Sequence, residues 1–302
     1  MKLFYPLAKR FIAGYDFDSA KPVVEQLLSE GYKVSIDYLG ELSTERDDCL
    51  NAFIQYCDII DYYTSTPWKE DSIELSIKPS QLGLRFDNEY CYHLMSLLAY
   101  KANVFCMNIR LDMEDNSLIQ DTIDLCLHLN KKYKNVGLAV QTNMFRTKKD
   151  IVDLLSKNIS LRLVKGAYKE NITNAYQNQE QIRKLFIKNA FMILSDRCRT
   201  YYHLKDESTS ISAIGTHDEE ILKEITKNVG IFNINKEDCD FEFLYGIRRD
   251  LSEKMKNDGY RVRLYVPFGK QWLPYTLRRL KEYKNIKFVI FNIFREFFSK
   301  RP

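Results

Sequence analysis

The chain has 302 residues, 45% hydrophobic and 28% charged, with a net charge of +4 and few Gly or Pro. That composition can bury a large α/β core and leaves little room for disorder, and the scattered Lys and Arg give no basic stripe to suit nucleic acid. No apolar run approaches the roughly 20 residues of a membrane span, and the opening MKLFYPLAKRF turns polar too soon for a secretory leader.

Along the chain, Phe17, Ala20, Val23, Val24, Leu27 and Leu28 step at helical spacing before Gly31, which predicts a helical extension over 1–30. Strands are predicted at 33–39, 73–78, 104–111, 135–141, 159–165, 211–215, 241–245 and 261–266. Helices are predicted between them, at 46–64, 88–102, 116–132, 147–157, 178–204, 219–228 and 248–258, with 272–283 after the last strand. Eight strands, each followed by a helix, imply an α/β fold: a (β/α)8 barrel of the TIM type, one domain over 1–302, with an extra N-terminal helix and a C-terminal helix over 285–302. An open doubly wound sheet also alternates, but no GxGxxG follows any strand, which argues against a Rossmann site.

The stretch from Arg261 to Glu282 reads as the last strand and helix. Arg261, Arg263 and Tyr265 alternate with Val262, Leu264 and Val266, and Pro267 and Gly269 are expected to end the strand. Leu273, Leu277 and Leu280 predict one buried helix face. Tyr275, Arg278, Arg279 and Glu282 form a second stripe, with two guanidinium groups beside a carboxylate and a phenol. Paired arginines suit a ligand carboxylate, because the planar fork donates parallel hydrogen bonds. Taken alone, the stripe reads as a solvated face with salt bridges along the helix.

In such a barrel the chemistry sits at the C-terminal ends of the strands. Those ends carry Asp37 and Glu41, Lys78, Asp112 and Glu114, Gln141, Arg162 with Lys165 and Tyr168, Thr216 with His217, Leu244 with Tyr245, and Tyr265. Individually these have plain readings: a lone His217 as a structural histidine, Asp112 and Glu114 as helix caps, Asp37 and Glu41 as structural or loop charges. Ionisable residues at so many strand ends are harder to dismiss, since burying them unpaired is costly. The seven cysteines form no CxxC pair, which fits free, mostly buried thiols in a reducing, cytoplasmic compartment. The four histidines form no HxxxH or HExxH pattern, so no metal is expected.

At these residues the chain resembles the proline dehydrogenase family, flavoenzymes built on a (β/α)8 barrel. The resemblance runs from about residue 10 to the C-terminus and rests on four segments. They are Ser76 to Leu84 (SIKPSQLGL), Arg110 to Asp115 (RLDMED), Arg162 to Tyr168 (RLVKGAY), and Tyr265 to Gly269 with Tyr275-x-x-Arg278-Arg279-x-x-Glu282. The spacing is that of the short single-function enzymes, without an aldehyde dehydrogenase module.

The resemblance implies FAD-dependent oxidation of L-proline to Δ1-pyrroline-5-carboxylate, the first step of proline catabolism. Hydride goes to flavin N5 and electrons go on to a quinone, with a pyrroline-5-carboxylate dehydrogenase acting downstream. Arg278 and Arg279 would clamp the substrate carboxylate with Lys78 nearby, and Asp112, Tyr168, Leu244 and Tyr265 would wall the ring. Met113, Gln141, Arg162, Lys165, Gly166, Ala167, Thr216, His217 and Glu282 would hold FAD. Asp112 and Arg162 are the implied catalytic pair, Arg162 lying near N5 where positive charge stabilises reduced flavin. The amine must be neutral to release hydride, and whether a side chain or water takes its proton stays open.

Three departures stand out. Phe241-Glu242-Phe243-Leu244-Tyr245-Gly246 is two residues shorter than the family's usual FExQxLYG. Gln141-Thr142-Asn143 replaces a common Gln-Ala-Tyr, and Lys169 follows Tyr168 where a large apolar residue is common. They motivate two rival readings: the same chemistry on a related cyclic amino acid such as hydroxyproline, or a barrel without flavin that only binds a ligand or partner. The C-terminal IKFVIFNIFREFFSKRP reads as a helix sealing the barrel, with peripheral contact to the inner face of a membrane as the sharper alternative.

Overall fold

A computed structural model of the chain describes residues 8–68, 71–203, 211–229 and 235–282, leaving aside the side chains of 197–203 and 280–282. Helix α1 (Phe17–Ser29) starts at a capping box. Asp16 accepts from the Ser19 backbone N–H at 2.9 Å, and Ser19 Oγ accepts the Asp16 N–H at 3.2 Å. Thereafter strand and helix alternate: β1 (Lys33–Tyr38), α2 (Arg46–Thr64), β2 (Ile73–Ile77), α3 (Asn88–Val104), β3 (Asn108–Leu111), α4 (Ile119–Asn130), β4 (Val136–Gln141) and α5 (Thr147–Leu155). They continue with β5 (Leu161–Val164), α6 (Gln179–His203), β6 (Ala213–Gly215), α7 (Glu219–Val229), β7 (Asp240–Leu244), α8 (Arg249–Asn257), β8 (Arg261–Phe268) and α9 (Trp272–Glu282). All neighbouring strands are parallel, and β8 closes onto β1, from Lys33 opposite Arg263 to Tyr38 opposite Phe268. The expected (β/α)8 barrel is the fold.

The period-2 pattern marks two buried faces rather than one buried and one wet. Ile73, Leu75 and Ile77 of β2, Leu161 and Leu163 of β5, and Val262, Leu264 and Val266 of β8 join the apolar core of the sheet and its helical jacket. The residues between them, among them Glu74, Ser76, Arg162, Arg263 and Tyr265, are buried as well, on the lumenal side. Barrel interiors are usually filled by branched aliphatics. Here the filling is charged.

Three expectations change in detail. Val104 to Met107, expected in a strand, complete α3 and turn at Cys106, whose φ of 54° no strand allows. Strand β8 continues through Pro267 to Phe268, because the missing proline N–H is not called on and its carbonyl accepts from Ala13 N–H at 2.8 Å. Helix α9 turns a different face inward: Leu277 is 47% exposed, while Trp272, Tyr275, Thr276 and Arg279 are buried. Two aromatics outweigh a leucine in the area they remove from water. They pack with Ala8, Phe11, Ile12, Leu39 and Ile247 over the C-terminal end of the barrel. The side chains of Leu280 and Glu282, and the stretch 285–302, lie outside the described residues. Among the described residues no helix is long and apolar enough to cross a membrane.

Candidate active site

The lumen is paired from bottom to top. At the N-terminal end, Asp240 accepts from Arg261 Nε at 2.7 Å and Arg263 Nε at 2.6 Å, while Asp71 pairs with Lys33 at 2.6 Å and Arg261 at 2.9 Å. Above them Arg110 Nη2 reaches Glu74 at 3.2 Å and the Ile211 carbonyl at 2.8 Å. Gly137 leaves the room for that guanidinium, since a Cβ there would collide with Arg110 Nη1 and Ser160. Arg162, on β5, has every N–H engaged. Nε donates to Glu242 at 2.6 Å, Nη1 to Ser76 and Asp112, each at 2.8 Å, and Nη2 to Glu74 at 2.7 Å and Ser35 at 3.2 Å. Burial works against its charge, but Glu242, Glu74 and Asp112 more than offset this and hold Arg162 above its ordinary basicity.

At the C-terminal mouth a second cluster rests on the first. Lys78, just past β2, donates from Nζ to Asp37 Oδ1 at 3.0 Å, Asp37 Oδ2 at 3.1 Å, Tyr265 Oη at 3.2 Å and Asp112 Oδ2 at 3.3 Å. Tyr265 donates its hydroxyl to Asp112 at 2.7 Å, and Ser76 Oγ donates to the other Asp112 oxygen at 2.8 Å. Burial would raise the Asp112 carboxyl, yet Lys78, Arg162 and the Tyr265 and Ser76 hydroxyls bring it below the ordinary range, so it is ionised. Asp37 behaves oppositely. Fully buried, its carboxyl is pushed up by desolvation, and nearby Asp112 adds to the rise against the pull of Lys78. Burial also raises the Tyr265 phenol far above its ordinary value, with Asp112 and Asp37 adding, so it stays protonated.

The rim comes from loops and from α9. Arg278 Nη1 lies 3.5 Å from Glu41, and Tyr168 donates to the same carboxylate at 3.4 Å. Arg279 is buried, with its guanidinium 5.2 Å from the Tyr275 ring centre. His217 Nε2 accepts the Leu244 backbone N–H at 2.9 Å. Burial and then Arg279, Arg248 and Lys165 pull that imidazole down to about 3, so it is neutral.

The remaining sequence-selected residues form an arc across β3 to β6. Gln141 Nε2 donates to the Glu114 carbonyl at 2.7 Å, and its Oε1 accepts from Ala167 N–H at 3.4 Å. Glu114 in turn accepts from both the N–H and hydroxyl of Ser80. Met113 and Thr216 are buried beside this line, and Lys165 pairs with Asp218 at 2.7 Å. Gly166 has φ +114°, and a Cβ there would strike the Asn143 amide. Among the described residues the buried Asn143 Oδ1 and Thr142 Oγ1 have no hydrogen-bond partner. Spare polar atoms, a cation and a neutral imidazole suit a ligand with phosphates and a heteroaromatic ring.

Of the residues selected from sequence, the structure brings Lys78, Asp112, Arg162 and Tyr265 into direct contact, with Leu244 on the neighbouring strand opposite Tyr265. Tyr168, Arg278 and Arg279 sit on the rim. Asp37, read as a structural or loop charge, lies in this cluster bonded to Lys78. Ser35 and Glu74 are not among the residues the sequence points to, and Ser76 and Glu242 enter there only within longer motifs. Their signal was available in strands that alternate apolar with charged residues, as in Ile73-Glu74-Leu75-Ser76-Ile77-Lys78.

A proline dehydrogenase family profile matches residues 20–289. Proline dehydrogenase 2 of Bacillus subtilis (strain 168) is 32% identical over 285 residues, covering 91% of this chain and 86% of the relative. The proline dehydrogenase of Deinococcus radiodurans is 30% identical over 291 residues, covering 94% and 89%. Among solved structures, proline utilization A from Bdellovibrio bacteriovorus, inactivated by N-propargylglycine, superposes with a TM-score of 0.80 at 21% identity over 91% of this chain. The chain spans 32% of that longer protein, and at this identity the likeness speaks for the fold.

Proposed function

Because the chain belongs to the proline dehydrogenase family, and is thus an oxidoreductase, we propose that it oxidises L-proline to Δ1-pyrroline-5-carboxylate with FAD as resident cofactor and a quinone as final acceptor. The observation that carries this reading is the Lys78–Tyr265–Asp112–Arg162 cluster at the barrel mouth, beneath the arginine pair of α9.

When bound, the flavin supplies a two-electron acceptor for the hydride leaving the ring carbon beside nitrogen. The protein's own part is positioning and charge. Arg278 and Arg279 grip the substrate carboxylate, a job for which the guanidinium fork is suited. Lys78 lies on the same side, and Asp112, Tyr168, Leu244 and Tyr265 enclose the ring. Arg162 has no N–H to spare, so its contribution to catalysis is a fixed buried positive charge. Met113, Gln141, Lys165, Gly166, Ala167, Thr216 and His217 line the arc that would hold the cofactor, with Glu282 added by family resemblance.

An absorbance spectrum before and after anaerobic addition of L-proline tests the proposal. Bleaching of a flavin band supports it. A colourless protein that stays colourless with FAD points to a barrel that only binds, and bleaching by hydroxyproline but not proline points to a related substrate.

A further inference from the structure

Hydride can leave only from a neutral amine, while the amine of a free amino acid carries a proton, so the site needs a place for that proton. Two carboxylates touch Lys78 at the mouth, and they differ in character. Asp112 receives four donors on its two oxygens, from Arg162, Ser76, Tyr265 and Lys78. It is saturated and held ionised. Asp37 is fully buried on β1, where the Lys78 ammonium donates to both of its oxygens and the Tyr265 hydroxyl lies close by. The titratable groups facing it are Lys78 from the β2 end, Asp112 from the β3 end, Tyr265 from β8 and Tyr56 from α2.

Resting on the proline dehydrogenase reading above, we propose that Asp37 stores the substrate's amine proton, delivered through Lys78. In that step Lys78 first gives a proton to an Asp37 oxygen, its N–H bond breaking as an O–H bond forms, and the lone pair so freed then takes the proton of the substrate ammonium as that N–H bond breaks. Charge and proton count balance, and no electron changes hands. Lys78 is a poor resting place for the proton because it is already cationic, and Asp37, Tyr265, Asp112 and Tyr56 keep it so despite burial. Asp37, raised by desolvation, can take a proton in a range where Asp112 cannot. Asp37 meets the substrate only through Lys78, so it is a positioning and proton-holding residue.

The test uses the flavin-loaded enzyme and its Asp37→Asn variant, following the rate of anaerobic flavin reduction by L-proline across pH. Affinity for a proline analogue with oxygen in place of ring nitrogen is measured alongside, since it needs no proton transfer. The variant is expected to bind the analogue as the unaltered enzyme does. Near neutral pH it is expected to reduce its flavin about 10²-fold more slowly. The deficit narrows as pH rises and with a ring-fluorinated proline, whose amine releases its proton more readily. A loss of equal size at every pH overturns the relay.

The unaltered enzyme gives an independent reading should the variant fold poorly. If an enzyme group takes the proton, the acid limb of kcat stays in place when proline is exchanged for the fluorinated substrate. A limb that follows the substrate amine overturns the proposal. Unaltered enzyme that proline does not reduce at any pH removes the functional reading beneath it, an outcome distinct from failure of the relay alone.

Discussion

Arg162 Nη2 and Glu74 Oε1 meet at 2.7 Å across the lumen, joining β5 to β2 between residues 88 positions apart. Glu74 also accepts from Ser35 Oγ at 2.8 Å and from Arg110. Burial alone would raise its carboxyl, but Arg110, Arg263 and Arg162 carry it far below the ordinary range. Removing one member of such a network leaves buried charge uncompensated, which costs about 3–5 kcal/mol. Glu74→Gln is therefore expected to lower unfolding stability by about that amount in urea titrations. An unchanged midpoint would mean that the lumen admits enough water to replace the pairing.

Asp71 provides a pH-dependent counterpart at the bottom of the barrel. Burial works to raise its carboxyl, but hydrogen bonds and charge from Lys33 and Arg261 bring it down to about 2. A depressed carboxylate stabilises the fold above its unfolded value of about 3.9 and loses that contribution as pH falls through the folded one. The gap in stability between the wild type and Asp71→Asn should be full at pH 6 and shrink through the interval from about pH 4 to pH 2. The side chain is 39% exposed, so solvent screening keeps the gap small. Denaturant midpoints at several pH values check the direction. A gap that widens on acidification would contradict the pairing.

The orientation of α9 separates two substitutions only five residues apart. Trp272 is buried against Phe11, Ile12 and Leu39, and Trp272→Ala is expected to cost about 3–5 kcal/mol. Leu277 faces outward, and Leu277→Ala should change stability by no more than about 0.5 kcal/mol. Thermal or chemical unfolding of the two variants reads the face directly, and equal losses would restore the leucine stripe to the inside.

That helix also marks where sequence reasoning stops. The eight strands were legible because each needs apolar residues facing the helical jacket, and a period of two records this whatever the lumen contains. Cys106 was not: Val104 and Phe105 are apolar yet half exposed, so they read as a strand where the chain is turning. The inward face of α9 depended on what covers the barrel end, and Phe11 and Ile12 arrive there from more than 250 residues earlier. Lys78, Asp112, Arg162 and Tyr265 stand out in the sequence by position at strand ends and by motif. Asp37 reads from sequence as a structural or loop charge because a single acid near a strand end has no local mark of function, and nothing local reveals that Lys78 bonds to it.

The central claim is that the guanidinium pair on α9 grips the acid group of the substrate. The apparent KM for L-proline of Arg279→Met against the wild type tests it most directly. Loss of two charge-assisted hydrogen bonds, about 3 kcal/mol, predicts a rise of about 10²-fold with a smaller change in kcat. An unchanged KM would contradict the account.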